Sequence, residues 1–322
     1  MKHVLASGIA MLVSVTAAAA NDSVATQGAG GLILVHAQSI TMESEDLYVS
    51  PREVRVSYVF RNQAGEDRTH LVAFPMPQID PQDYLESDIS IPSPDADNFM
   101  DFSVKVGGEE IAPALEMRAL SGGIEVTERL AALDVPLNPL TQAAVRAVSA
   151  LPRADQESLA AMGAVIIDED GARPAWSLRS TYYWQQTFPA AAPLEVSHRY
   201  VPAVGMTMFY YKTSVEDGAL ARAYCIDAGT DRAIRKKMAG QPKDNPYLMQ
   251  SSIEYILTTG ANWQGSIGDF RLVVDKLRSD AIVSFCMDGV KKIAPTQFEV
   301  RKKDFYPTQD LRILLLRAPP AE

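Results

Sequence analysis

The chain has 322 residues, of which 47% are hydrophobic and 22% are charged, the profile of a globular protein and not of a disordered or collagen-like one. Its 30 Lys and Arg side chains stand against 40 Asp and Glu, which gives a formal net charge of -10. This acidic balance argues against a nucleic-acid binder, which needs a basic surface for the phosphate backbone.

The first twenty residues have the pattern of a secretory signal peptide. A short basic start precedes an apolar run over residues 4–15, and three alanines at 18–20 supply small residues for cleavage before Asn21. The apolar run is too short to cross about 30 Å of hydrocarbon. The sequence therefore predicts an exported, periplasmic protein, cleaved near Ala20-Asn21, with no transmembrane segment in the mature chain.

Strand patterns dominate the beginning of the mature chain. Apolar and polar side chains alternate over residues 53–61, which is the period-two pattern of a half-buried strand. A turn at 62–67 leads to a second predicted strand at 68–74. A β-hairpin is the simplest prediction for these two strands.

Two acidic groups stand out in the same region. The first consists of Glu43, Glu45 and Asp46, in a predicted strand at 39–49, and is most simply an exposed face. The second is a loop after two prolines that contains Asp95, Asp97 and Asp101. Oxygen ligands this close together could hold calcium, but the loop lacks the bidentate Glu and central Gly of an EF-hand. A solvated loop is the simpler interpretation, weak calcium binding is a hypothesis, and no other cofactor is indicated.

The middle of the chain changes character twice. Residues 127–165 are rich in Ala and Leu and poor in β-branched residues, which predicts a helical insertion. Sheet resumes in the aromatic segment 176–188, where alternation places Tyr182 and Trp184 on the face that should be buried. Arg179 and Tyr183 fall on the opposite face and are candidates for a ligand or partner surface.

The last hundred residues differ in charge from the rest. Residues 21–224 carry 14 basic and 28 acidic side chains, a net of -14, whereas residues 225–322 carry 15 and 12, a net of +3. A helix predicted to be capped at Thr230 and Asp231 presents a basic surface to an anionic partner. Its members are Arg232, Arg235, Lys236 and Lys237.

The two cysteines, Cys225 and Cys286, both lie in the exported part, and an even count in an oxidising compartment predicts one disulfide. Together these patterns predict a mainly β protein with two β-sandwich-like units and a helical insertion in the first. The predicted division is a signal peptide at 1–20, an acidic domain at 21–213 with its insertion at about 127–165, and a smaller β-rich domain at 214–322.

Several segments occur in a recognisable order along the mature chain. They are residues 42–62, Val72-Ala73-Phe74-Pro75-Met76-Pro77, Gly260-Ala261-Asn262-Trp263 and Ser284-Phe285-Cys286. This layout resembles a family of exported proteobacterial proteins classed as domain of unknown function 4424, over nearly the whole mature chain. The resemblance implies a periplasmic location and supplies no catalytic or binding residues. The strand–turn–strand ending at Pro77 is also similar, over some twenty-five residues, to vault and inter-α-trypsin type β domains.

The sequence contains no motif of a common enzyme class. It has no Gly-x-Ser-x-Gly elbow, no His-Glu-x-x-His helix and no phosphate-binding glycine loop. We therefore expect a non-enzymatic protein of the cell envelope that binds a small ligand or scaffolds an envelope protein. The alternative is a secreted hydrolase or metal-dependent enzyme whose site assembles from distant residues, with His70, His198 and the acidic loop as first suspects.

Overall fold

The structure, a computed structural model, describes residues 21–28, 31–85, 87–94, 97–216, 218–241 and 246–319. The predicted signal peptide at 1–20 and Asp95 of the predicted calcium loop lie outside these residues. Strands make up 46% and helices 19%, which confirms the predicted mainly β fold.

Long runs of strands are interrupted by short helices along the chain. The strands are β1 (Ser23–Gly28), β2 (Gly31–Val35), β3 (Ile40–Val49), β4 (Val54–Asn62), β5 (Arg68–Pro75), β6 (Asp88–Ser90), β7 (Ser103–Val106), β8 (Glu109–Ile111), β9 (Ala114–Ser121), β10 (Ile124–Glu125), β11 (Val165–Asp168), β12 (Gly171–Pro174), β13 (Ser177–Phe188), β14 (Pro193–Tyr200), β15 (Val204–Phe209), β16 (Leu248–Tyr255), β17 (Ile267–Asp275), β18 (Ile282–Phe285), β19 (Lys291–Lys292), β20 (Gln297–Phe305) and β21 (Leu311–Arg317). The helices are α1 (Pro81–Leu85), α2 (Thr127–Ala131), α3 (Gln142–Ala150), α4 (Arg153–Ala161), α5 (Ala219–Ala223) and α6 (Ala228–Met238), with a π turn at Lys212–Glu216 and a 3₁₀ turn at Thr258–Asn262.

In the described part of the chain the strands form three larger sheets and one separate hairpin, β11–β12. The six-stranded sheet has the order β10-β9-β13-β5-β1-β2, the eight-stranded sheet β19-β20-β17-β3-β4-β14-β7-β8, and the five-stranded sheet β18-β21-β16-β15-β6. Neighbouring strands pair antiparallel, except that β3 and β17 run parallel. A parallel pair needs a long connection, and in this fold it joins residues 40–49 to residues 267–275.

Strands β4 and β5 do not form the predicted hairpin. β4 pairs with β3 and β14 in the eight-stranded sheet, whereas β5 pairs with β1 and β13 in the six-stranded sheet. Both strands turn apolar side chains into one core, Phe60 from β4 and Phe74 from β5. The turn at 62–67 therefore carries the chain from one layer to the next, so that both strands bury apolar side chains in the shared core.

The three sheets pack around a shared apolar core in a sandwich-like arrangement. Tyr182 and Trp184 of β13 lie in this core, as alternation predicts, together with residues of the other two sheets. At its centre the ring of Phe74 lies 5.0 Å from that of His198 and 5.3 Å from that of Phe102, centroid to centroid. A histidine and several hydroxyl-bearing rings are thus enclosed among aromatic side chains.

Helices α2, α3 and α4 lie where the sequence predicts the helical insertion. The hydroxyl of Thr141 caps α3 by accepting from the backbone N–H of Ala144 at 3.0 Å. The insertion has its own small core around Trp176, whose Nε1 donates to the carbonyl of Leu137 at 2.8 Å. No helix within the described ranges is both long and apolar enough to cross a membrane.

The predicted disulfide between Cys225 and Cys286 is present, with Cα atoms 5.0 Å apart. Helix α6 begins slightly before the predicted cap, because the Asp227 carboxylate accepts from the N–H of Thr230 at 2.6 Å and is the N-cap. Ile234 of this helix packs against the five-stranded sheet in a third apolar cluster.

Sheets cross the predicted division at residue 213. β17 and β20 stand in the same sheet as β3, β4 and β14, and the five-stranded sheet joins β6 and β15 to β16, β18 and β21. Segments 21–213 and 214–322 therefore share two sheets and one core.

Candidate functional site

A cleft of about 410 Å³ opens on the face of the six-stranded sheet that is turned away from the main core. Alternation along β13 explains its polar lining, because Leu178 and Tyr182 enter the core while Arg179 and Thr181 face the cleft. The lining residues are Leu32, Leu34, Pro75, Met76, Gln78, Glu116, Arg118, Arg179, Thr181, Thr258, Thr259 and Asn262.

The edge strand β2 closes one side of the cleft. The backbone N–H of Leu32 donates to Oε1 of Glu116 at 3.0 Å, although three strands separate β2 from β9 in the sheet order. The sheet must therefore curl strongly, as twisted sheets do. The 3₁₀ turn at Thr258–Asn262 contributes the opposite wall.

Two arginines stand side by side in the cleft but have different partners. Arg118 and Arg179 are opposite each other in the β9–β13 register. Arg118 is neutralised by Glu125, which accepts from its Nε at 2.9 Å and whose pKa Arg118 lowers. Arg179 donates from Nη2 to the neutral Oε1 of Gln78 at 3.3 Å. Arg179 helps to lower the pKa of Glu125, but less than Arg118 does. Because Arg118 is paired with Glu125 and Arg179 has no ion pair among the described residues, the half-buried guanidinium of Arg179 is the cleft's available cation.

A buried polar cluster lies directly behind the cleft wall. Thr259 and Asn262, which line the cleft, are also bonded to the first residues that the structure describes. The Thr259 hydroxyl donates to the carbonyl of Asn21 at 2.8 Å and accepts from the Asn21 backbone nitrogen, and Asn262 Nδ2 donates to the Ser23 hydroxyl at 2.9 Å. Residues 21–23 are therefore part of the structure that supports the cleft.

The side chains of Asn21 and Asp22 extend this cluster into the core. Asn21 donates from Nδ2 to Glu45 at 3.0 Å and accepts from the hydroxyl of Tyr58. Asp22 faces Nε2 of His198 at 3.0 Å, and both side chains are almost completely buried. The Tyr58 hydroxyl lies 3.1 Å from that of Tyr255. Polar groups from four strands thus converge without access to water.

A β-bulge places Glu45 in this cluster. The register of β3 against β4 slips between Met42 and Ser44, and residues after the slip reverse their face. Glu45 is consequently only 1% exposed, so the prediction of an exposed face is wrong for this residue. The signal was present in the sequence, because Met42 and Leu47 cannot both face the core of one regular strand.

Burial dominates the proton affinities of the cluster. It raises the pKa of Glu45 to about 8, and the nearby Asp22 carboxylate adds to this rise while the Asn21 amide opposes it. Burial also raises the pKa of Asp22, against the lowering effect of His198. The pKa values of Tyr58 and Tyr255 lie well above the ordinary range for the same reason. Glu45 therefore holds a proton at neutral pH when nothing positive lies beside it.

The other predicted surface residues lie away from the cleft. Tyr183 lines a shallower groove with Gln27 and Ile111. The basic residues of α6 are exposed or half-buried, and Arg235 pairs with Asp231 at 2.9 Å and lies over the ring of Tyr211. The structure thus brings none of the α6 residues together with Arg179, and they form a surface of their own.

The predicted calcium loop is described only in part. Asp97 and Asp101 are exposed, and Asp101 accepts from Arg199 at 3.2 Å. Among the residues that the structure describes, no three His, Cys, Asp or Glu side chains converge as metal ligands. Calcium binding at this loop stays a prediction.

The two histidines suspected in the enzyme alternative have different surroundings. His198 is buried against Asp22, whereas His70 is half-buried beside Phe188, with a pKa lowered by burial and by Arg68. Neither ring is hydrogen-bonded to a hydroxyl in the ranges that the structure covers, as an activated nucleophile requires. Within the described chain this geometry offers no assembled nucleophile–base pair.

Comparison with known proteins identifies a family and, among solved structures, distant structural likeness. The family described as Domain of unknown function (DUF4424) matches residues 20–314. No protein of curated function matches the chain. Among solved structures, the chain is similar to a “putative nutrient binding protein” from Legionella pneumophila subsp. pneumophila, with 16% identity and a TM-score of 0.45, over 92% of this chain and 70% of that one. This likeness is too distant to indicate a function.

Proposed function

Because the chain belongs to the DUF4424 family, a classification without an assigned activity, we propose its function from the cleft. We propose that the protein is a periplasmic binding protein whose cleft holds a small ligand with a carboxylate or phosphate group and leaves that ligand chemically unchanged. The predicted signal peptide and the Cys225–Cys286 disulfide support an oxidising, exported location.

The proposal depends on the guanidinium of Arg179. Its hydrogen-bond partner is the neutral amide oxygen of Gln78, and no carboxylate in the described residues lies within ion-pair distance of it. Arg118 beside it is already bound by Glu125. A half-buried guanidinium that faces an open volume is suited to bind a carboxylate or a phosphate through two parallel hydrogen bonds.

Glu116 and the cleft's size limit the ligand further. One oxygen of Glu116 accepts from the Leu32 N–H, and the carboxylate leaves negative charge in the cleft. It repels a polyanion and attracts an amine, so the preferred ligand has a single anionic group, with or without a cationic one. A volume of about 410 Å³ is in the range of small-molecule sites.

Calorimetry and thermal shift with small carboxylates, amino acids and inorganic phosphate at low salt test this proposal. We expect at least one of these compounds to bind with micromolar to millimolar affinity, and Arg179→Gln to weaken it by tenfold or more through loss of the bidentate pair. Arg146→Gln, on the exposed face of α3, is the matched control and should bind as the wild type does.

Two results would contradict the proposed ligand site. One is unchanged affinity in Arg179→Gln, and the other is the absence of binding across the whole panel. Conversion of a bound compound to product, detected by mass spectrometry, would instead favour the alternative of a secreted hydrolase or metal-dependent enzyme.

The surface of α6 supports a second candidate, the scaffolding of an envelope protein. Arg232 and Lys236 are exposed on one helix, in the part of the chain with a net charge of +3. An acidic envelope protein would match this surface. Crosslinking to a periplasmic partner should weaken at high salt and disappear in the double variant Arg232→Glu, Lys236→Glu; crosslinking that survives this charge reversal would contradict the candidate.

A further inference from the structure

The residues at the predicted cleavage site are among the most deeply buried in the protein. Asn21, Asp22 and Ser23 all have a relative exposure of 0%. They are anchored by Trp263, whose Nε1 donates to the carbonyl of Asp22 at 2.7 Å. Residues that flank a cleavage site are normally loose and exposed, so this burial needs a physical reason.

The backbone nitrogen of Asn21 lies in the same buried cluster as two acidic side chains. Its own hydrogen-bond acceptor is the hydroxyl of Thr259. One neighbouring carboxylate belongs to the next residue, Asp22, and the other, Glu45, accepts from the side-chain amide of Asn21 itself at 3.0 Å. A positive charge on this nitrogen would therefore share one buried cluster with both carboxylates.

Beside these two buried carboxylates the described part of the chain shows one basic side chain, His198, which faces Asp22 at 3.0 Å and not Glu45. His198 contacts Oδ1 of Asp22, whereas Oδ2 of Asp22 and Oε1 of Glu45 have no hydrogen-bond partner in the described part of the chain. Ionised carboxyl groups out of water are costly unless a cation pairs with them. A nitrogen in a peptide bond is neutral and cannot serve.

We propose that cleavage between Ala20 and Asn21 is a maturation step that creates an N-terminal ammonium inside this cluster, where it is the counter-ion of Glu45 and Asp22. One water is consumed: the C–N bond breaks, the leader leaves with a carboxylate, and the nitrogen of Asn21 becomes an ammonium. No oxidant or reductant takes part. A free α-amino group has an ordinary pKa of about 7.7–8.0, and nearby carboxylates favour its charged form.

This inference depends on the predicted cleavage and not on the proposed ligand. It also has a consequence for the cleft, because Thr259 and Asn262 bind the first residues on one side and line the cleft on the other. The mature N-terminus would thus stabilise one wall of the cleft. The uncleaved chain would lack this stabilisation.

The first test compares two soluble chains, one starting at Asn21 and one that retains Ala20 as a single extra residue. The intact mass of the exported protein should give Asn21 as its first residue. The chain with Ala20 should melt several degrees lower, because its nitrogen at Asn21 is a neutral amide, and one alanine added after Glu322 should change nothing. Equal melting temperatures, or export with a different first residue, would overturn the proposal.

Two further measurements separate a charge effect from a steric one. In the Glu45→Gln background, the difference between the chain starting at Asn21 and the chain retaining Ala20 should shrink by at least half. Acetylation of the Asn21 α-amine should be at least tenfold slower in the folded protein than in urea, and this measurement needs no variant that folds. An undiminished difference in Glu45→Gln, or equally fast acetylation in both states, would overturn the inference.

Discussion

Glu45 shows how a single carboxyl group can set the chemistry of a protein interior. It faces the core because the bulge at Glu43 shifts β3 by one residue. The bulge fits closely against β17, where a Cβ on Gly268 would lie 2.7 Å from the carbonyl oxygen of Glu43. Glycine at this position therefore allows the strand arrangement that buries Glu45.

The proton on Glu45 predicts a definite pH dependence for the chain that retains Ala20. The unfolded carboxyl releases its proton near pH 4.5 and the folded one near pH 8, so the free energy of unfolding falls as pH rises through this interval. Asp22, with a raised pKa, acts in the same direction. Tyr58 and Tyr255 also lie near Glu45, whereas His198 faces Asp22.

Urea unfolding at pH 5, 6.5 and 8 measures this dependence. Glu45→Gln, which cannot release a proton, should remove most of the fall in the chain that retains Ala20. In the chain that starts at Asn21, the ammonium should already make the fall smaller. The same pH dependence in Glu45→Gln and in its parent would show that other groups carry it.

At the scale of elements, the disulfide fastens a helical segment to the five-stranded sheet. Cys225 follows α5 and Cys286 follows β18, and Ser284 of β18 donates to the carbonyl of Tyr224 at 2.9 Å. The next helix, α6, adds apolar contacts through Ile234. The segment thus has both a covalent and an apolar attachment to the sheet.

Removal of the disulfide should weaken the protein without unfolding it. A bridge with a sequence separation of 61 lowers the entropy of the unfolded chain by an amount equivalent to about 4 kcal/mol at most. The double variant Cys225→Ser, Cys286→Ser should lose stability up to that amount in urea unfolding and keep its β-sheet circular dichroism. Addition of reductant should not affect the variant further, and a variant as stable as the wild type would contradict the prediction.

At the scale of the whole molecule, the acidic part (residues 21–224) and the basic part (residues 225–322) contact each other at the parallel pair β3–β17. Arg271 of β17 donates from Nη1 to both oxygens of Asp46 on β3 at 3.0 Å, and its Nε pairs with Glu299 at 2.8 Å. Such exposed pairs contribute little to stability. The pair between Arg271 and Asp46 joins residues that lie directly opposite each other on β17 and β3. The charge difference along the chain is therefore partly internal to the fold.

The predicted division at residue 213 implies that residues 21–213 and 214–322 can fold independently. The two sheets that both segments share allow this to be tested. Because β17 adds to β3 and β16 adds to β15, we expect one cooperative transition in calorimetry, with equal calorimetric and van't Hoff enthalpies. A fragment of residues 21–213 should lack cooperative unfolding, since it loses strand neighbours in two of its sheets. Two separate transitions, or a folded fragment, would support independent domains.

The sequence alone determined the mainly β class, the helical insertion, the buried face of the aromatic strand and the disulfide. Alternation and composition are local signals of strands, faces and helices, and two cysteines leave a single pairing. It also placed Arg179 on the outer face of its strand. Only the tertiary structure separated β4 from β5, paired β3 with β17, and set Arg179 in a cleft beside an already neutralised Arg118. It also buried Asn21 beside Glu45. These features depend on which distant strands become neighbours and on one bulge, since a shift of one residue reverses every following side chain.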